Sequence, residues 1–124
     1  MTTRILLSAK IHRATVTHCD LHYEGSCGIG PDLLKASGIV PCERVSVLNV
    51  STGSRLETYA IRGKKKGELS LNGAAARHAT AGDKVIIVAY CLVPEDRVAK
   101  HKARVVIVDG KNRVISTRTV GPLD

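Results

Sequence analysis

The chain has 124 residues, 44% of them hydrophobic and 24% charged, a composition that predicts one soluble globular domain able to bury its own core. With three tyrosines and neither Trp nor Phe, that core must be built from Ile, Val, Leu and Ala, and the density of β-branched residues favours sheet. The net charge of +8 raises a nucleic-acid partner, but the cations are scattered and three tyrosines supply few platforms for stacking bases, which argues against one.

In chain order, "MTTRILLSAKIHR" has no long apolar run that would read as a leader. Residues 4–17 alternate as a long strand, with Ile5, Leu7, Ala9 and Ile11 expected on one face and Lys10 and His12 side by side on the other. "HYEGSCGIG" (22–30) reads as a turn, and "PDLLKAS" as a short helix with Pro31 in its first turn and Gly38 as its stop. Strand-like runs follow at 44–50, 55–61, 68–71, 84–93, 103–109 and 113–119. The segments between them are rich in Gly, Asn and Asp, and "RGKKKGE" (62–68) reads as a solvated hairpin turn. "NGAAARHA" starts as a turn and continues as one helical turn. Many short strands joined this way predict a mainly β barrel or sandwich. No segment is long and apolar enough to span a membrane. Cysteines at 19, 27, 42 and 91 lack C-x-x-C spacing, so free thiols in a reducing cytoplasm are expected.

Two clusters call for chemistry. His12, His18 and His22 surround Cys19 and Asp20, which makes a metal site conceivable, but strand-pattern surroundings favour polar residues at a strand end and no metal is expected. Gly25-Ser26-Cys27 admits three readings. It is a plain turn; or a hydrolase nucleophile, against which the G-x-S-x-G spacing is absent; or a bond that Ser26 itself attacks. In the last case the hydroxyl adds to the Gly25 carbonyl to give an ester, elimination breaks the chain, and hydrolysis leaves a pyruvoyl group. Glycine favours this reading because it reaches backbone conformations closed to other residues. Spacing alone favours the turn.

The run "KIHRATVTHCDLHYEGSCGI", followed by "GSRLETYAI", "LNGAAARHATAGDKVIIVAY" and "VPED", resembles the pyruvoyl-dependent aspartate 1-decarboxylase family over most of residues 4–96. The resemblance implies cleavage between Gly25 and Ser26 into chains 1–25 and 26–124, with a pyruvoyl cofactor made from Ser26 and no metal. It implies that Thr58 assists cleavage by donating to the Gly25 carbonyl oxygen, an oxyanion-hole role worth roughly 10²–10³-fold. Decarboxylation of L-aspartate to β-alanine and CO2 would run through a Schiff base to the pyruvoyl carbonyl, for pantothenate and coenzyme A synthesis. Arg55 and Lys10 match the carboxylate-binding cations and Tyr59 the proton donor. Gly73, Ala74 and Ala75 match the segment against the substrate, and Asn72, His12 and Tyr23 match supporting positions. Taken without the resemblance, Lys10 and Arg55 are plain surface charges, Tyr59 a packed ring and Thr58 a strand threonine. Leu48 stands where some members carry tryptophan, which puts the pocket's shape in doubt.

The resemblance further implies a double-psi β-barrel with one or two short helices, a cytoplasmic homotetramer with active sites between subunits, and in some relatives a maturation helper protein. The rival reading is a non-enzymatic basic β-barrel that binds nucleic acid or an acidic partner, with Gly25-Ser26 intact.

Overall fold

A computed structural model describes all residues from 1 to 124. Nine strands form: β1 (Thr3–Thr15), β2 (His18–Asp20), β3 (Cys27–Ile29), β4 (Arg44–Asn49), β5 (Arg55–Arg62), β6 (Leu69–Asn72), β7 (Lys84–Pro94), β8 (Ala103–Val108) and β9 (Val114–Val120). Helix α1 covers Pro31–Ser37, and 3-10 helices cover Gly73–His78 and Glu95–Lys100. The mainly β expectation holds, and the helix at "PDLLKAS" ends at Gly38 as its sequence predicts. A third short helix, Glu95–Lys100, exceeds the one or two expected.

The strands hydrogen-bond in the order β2-β6-β3-β5-β4-β7-β1-β8-β9. Three pairings are parallel, β1–β8, β2–β6 and β3–β5, so the chain is not a meander of hairpins. The short strands β2 and β3 were not visible as apolar runs. β3 lies between β5 and β6, so the lysine-rich turn at 62–68 is no hairpin turn: its flanking strands are separated by Cys27–Ile29. Ala60, Leu69 and Leu71 are fully buried there with Cys27 and Ile29. That shared apolar row holds a three-residue strand in place although its sequence is too short to announce itself.

The core also contains Ile11, Leu33, Val45, Val47, Val85, Ile87 and Val106, all at 0–1% exposure. Burying each such side chain contributes roughly 1.5–3 kcal/mol. β1 supplies Ala9 and Ile11, but not Ile5 and Leu7. A register shift between Leu7 and Ala9 flips the alternation, and Ile5, 72% exposed, instead pairs with the exposed Leu92. A period-2 reading cannot see such a bulge. A second shift, between Ile11 and Ala14, leaves Arg13 left-handed at φ 59.

Register fixes which residues share a face. One continuous row of paired residues runs Glu57–Ser46–Val88–Lys10–Val105–Arg118 across β5, β4, β7, β1, β8 and β9. A neighbouring row runs Arg55–Leu48–Ile86. Both lie on the face opposite the core row Val47–Ile87–Ile11–Val106.

Asn112 pins the far end. It is 1% exposed; its Oδ1 accepts from the Thr15 N–H (2.7 Å), and its Nδ2 donates to the carbonyls of Thr15 and Gly67 (both 2.8 Å). It ties the β8–β9 turn to the end of β1 and to the lysine-rich turn.

Candidate functional site

Ser26 immediately precedes β3. Cys27 points into the core, so Ser26 lies on the outer side of the alternation, and the Asn72 N–H donates to the Ser26 carbonyl at 2.8 Å. Asn72 ends β6; it is buried, and its Nδ2 donates to Ser70 Oγ (3.3 Å). The chain then turns at Gly73, φ +59, so close to the loop before Ser26 that a Cβ on Gly73 would sit 3.5 Å from the Tyr23 carbonyl oxygen. Asn49 holds the end of this 3-10 helix by donating from Nδ2 to the His78 carbonyl (3.2 Å).

The loop from Leu21 to Ser26 folds back on Asp20, whose Oδ1 accepts from the His22 N–H (3.0 Å). Lys64 Nζ lies 5.5 Å from the Tyr23 ring centroid, a cation–π contact. Gly25 adopts φ +105, and a Cβ there would meet Ile61 Cδ1 at 2.7 Å. No other residue type fits that conformation and that space without displacement.

These elements enclose a cleft of about 570 Å³ lined by Leu21 through Ser26, Tyr59, Asn72, Gly73 and Ala74. Of the sequence-predicted residues it unites Ser26, Gly25, Tyr23, Tyr59, Asn72, Gly73 and Ala74. Tyr59 is 45% exposed on the outer face of β5. Leu21 and Glu24 also line the cleft and carried no signal of their own in the sequence, and His22, noted there only as a conceivable metal ligand, lines it too. Ala75 does not line it: the 3-10 turn buries its methyl group in the core. Thr58 faces the other way from Tyr59, half-buried. It pairs with Val45 of β4, and the parallel pairing of β5 with β3 begins only at Ala60 and Cys27, so Thr58 does not line the cleft.

Lys10, His12 and Arg55 lie elsewhere. Arg55 is exposed, opposite Leu48 and four residues from Tyr59, about 13 Å along the strand. Lys10 sits three strands away from β5, about 14 Å across the sheet. Beside it His12 is half-buried, its Nδ1 buried without a hydrogen-bond partner. Burial first, then the charges of Lys10, Arg13 and Arg118, hold its imidazole below the usual histidine range.

Cys27, next to Ser26, is fully buried, and burial pushes its thiol up to about 12. It is a core side chain with no thiolate to offer at neutral pH. No group of three or more His, Cys, Asp or Glu side chains is placed to hold a metal ion; His12 lies on β1 and His18 on β2.

A family model for aspartate decarboxylase matches residues 1–115. The chain belongs to this family. It is 56% identical over 113 residues to an aspartate 1-decarboxylase of Bdellovibrio bacteriovorus, covering 91% of this chain and 90% of that one. It is 50% identical over 121 residues to an aspartate 1-decarboxylase of Tolumonas auensis, covering 97% and 96%. A Bordetella avium aspartate 1-decarboxylase is 53% identical over 116 residues, covering 93% and 95%. The family model extends well past residue 96, where the recognisable motifs end, and reaches into β9.

Proposed function

We propose that this chain is a pyruvoyl-dependent aspartate 1-decarboxylase, made as a precursor and cut between Gly25 and Ser26. The observation that carries the reading is that, in a member of this family, the Gly25–Ser26 bond lines a cleft together with Tyr59, Asn72, Gly73 and Ala74.

The chain's own residues fit the making of the cofactor. Ser26 Oγ adds to the Gly25 carbonyl, and collapse of the adduct transfers the acyl group from nitrogen to oxygen. Loss of the Ser26 α-proton expels Gly25 as a carboxylate and leaves dehydroalanine; water then replaces its nitrogen, released as ammonia, to give the pyruvoyl group. Glycine at 25 leaves this carbonyl open, Thr58 donates to its oxygen as charge develops, and the Asn72 N–H holds the following carbonyl. The finished group supplies an electron sink that takes up the pair left when CO2 departs, which no ordinary side chain provides.

Around it, Arg55 and Lys10 hold a substrate carboxylate, the planar fork of Arg55 suiting bidentate contact. Tyr59 returns a proton to the carbon that lost CO2. Gly73, Ala74 and Ala75 form the wall, with Ala75 acting through its backbone, and Tyr23 and His12 support from either side. Lys10 lies three strands from β5 and outside the cleft, which favours a site completed by a neighbouring subunit in a homotetramer of double-psi barrels. The paired and exposed Ile5 and Leu92, and the adjacent Tyr90, suit burial between copies. No helix is long and apolar enough to cross a membrane, which accords with a cytoplasmic enzyme supplying pantothenate synthesis. A maturation helper is left to experiment. The test is release of β-alanine from L-aspartate by the purified protein; no release from a fully cleaved preparation sinks the reading.

A further inference from the structure

We propose that Arg118 is a substrate-binding residue: with Lys10 it forms a cationic clamp for a carboxylate of the dicarboxylic amino acid, so that β9 carries part of the site. This rests on the reading above that Lys10 faces the substrate. Arg118 lies outside the residues 4–96 whose motifs carry the resemblance, and the family model itself ends at residue 115.

The geometry comes from register. Lys10 pairs with Val105, and Val105 with Arg118, so the two cations project from one face with a single valine between them. Their backbones are two strand spacings apart, about 10 Å, and side chains this long can bring both heads onto one anion. Neither Lys10, Arg13 nor Arg118 takes part in any of the four ion pairs of the chain. The nearest acid on the row, Glu57, is three strands from Lys10 and is engaged by Ser46 and Arg44.

His12 reports on the space between them. Its Nδ1 is buried with no partner, and the charges that bear on it come from Lys10 and Arg13 on β1 and from Arg118 on β9. Its partner on β8 is the uncharged Ile107. Arg13 follows His12 directly, exposed at the bulge that leaves it left-handed, a conformation that costs energy in a residue with a side chain. Three cations without a counter-charge around a neutral histidine make a focused positive potential with no protein anion to answer it. β9 is exposed almost along its length, so Arg118 is held out on an open strand.

A clamp on the carboxylate that substrate and product share binds both states alike, so its loss raises KM and leaves kcat unchanged. With Arg118→Ala, the KM for aspartate should rise about tenfold or more, with kcat within a factor of about two and cleavage at Gly25 unchanged by intact mass. Arg118→Lys should recover most of the loss, and Arg118→Gln should match the alanine variant. Succinate, an unreactive dicarboxylate, gives a readout independent of turnover. Followed by imidazole ¹⁵N NMR, it should shift His12 and raise its pKa in the wild type, and bind about tenfold more weakly to Arg118→Ala and Arg118→Gln. Unchanged KM and unchanged succinate affinity in both variants overturn the clamp. If the wild type releases no β-alanine, the decarboxylase reading fails by itself, and the succinate titration still decides for or against Arg118.

Discussion

The cleft around Ser26 and the sheet face around Lys10 are built from opposite materials. The cleft has a backbone carbonyl held by a buried strand, a glycine in a conformation that strains other residues, a phenol and small residues; its one acidic lining residue is Glu24. The sheet face has Lys10, Arg55 and Arg118 along its rows, spaced by Val88, Val105 and Leu48. One chain sets Lys10 three strands from the strand that carries Tyr59, about 14 Å across the sheet. The contrast teaches that the cleft and the cationic face are separate products of the fold, joined through β5, which lends Tyr59 to one region and Arg55 to the other.

The largest effect should come from the cleft. Ser26→Ala should leave the chain uncut and remove β-alanine formation entirely; full activity in that variant would disprove the mechanism. The separation itself is tested by mixing. Lys10→Ala and Ser26→Ala chains, each inactive alone, should regain activity when co-assembled, because random pairing rebuilds roughly a quarter of the sites if each draws on two subunits. A mixture as dead as its parents would show that both residues serve the same chain's site. Arg55→Ala should be cleaved normally yet need about 10- to 100-fold more aspartate for half-saturation; an unaltered KM would remove Arg55 from the site.

Much of this was legible beforehand, and what was not has physical causes. Long strands such as β7 and the helix at Pro31–Ser37 announce themselves by period and by their stops. β2 and β3 do not, because three residues carry no period, and their strand character comes from tertiary partners. The exposed Ile5 was misplaced because a bulge reverses a face without leaving a mark on composition. Of the site, the Gly25–Ser26 bond and the Asn72–Ala75 run became readable through the resemblance, whereas Arg118 falls outside it and emerges only when β9 is laid beside β8. Asn112 reads as an ordinary turn residue in "DGKN", yet it satisfies three backbone groups.

Asn112 tests how that second region is held. Asn112→Ala strands a buried N–H and two carbonyls, which should lower stability by roughly 2–4 kcal/mol, read as a fall in the denaturation midpoint. A change within error would mean that β9 is positioned by β8 alone. The smallest effect concerns His12. Its folded pKa lies below the ordinary histidine value, so it favours the folded state above that pH, and the contribution is lost as pH falls through the folded value. His12→Gln should flatten this part of the stability profile between neutral and mildly acidic pH. Arg118→Ala should move the His12 midpoint upward, and a downward shift would place Arg118 away from the ring.

The most direct measurement is the intact mass of a preparation that releases β-alanine from aspartate. Two chains should be found, split after Gly25, the larger lighter than a serine-terminated 26–124 chain by the mass of one ammonia. A preparation that is active while its chain remains whole, or while residue 26 remains a serine, would contradict the account.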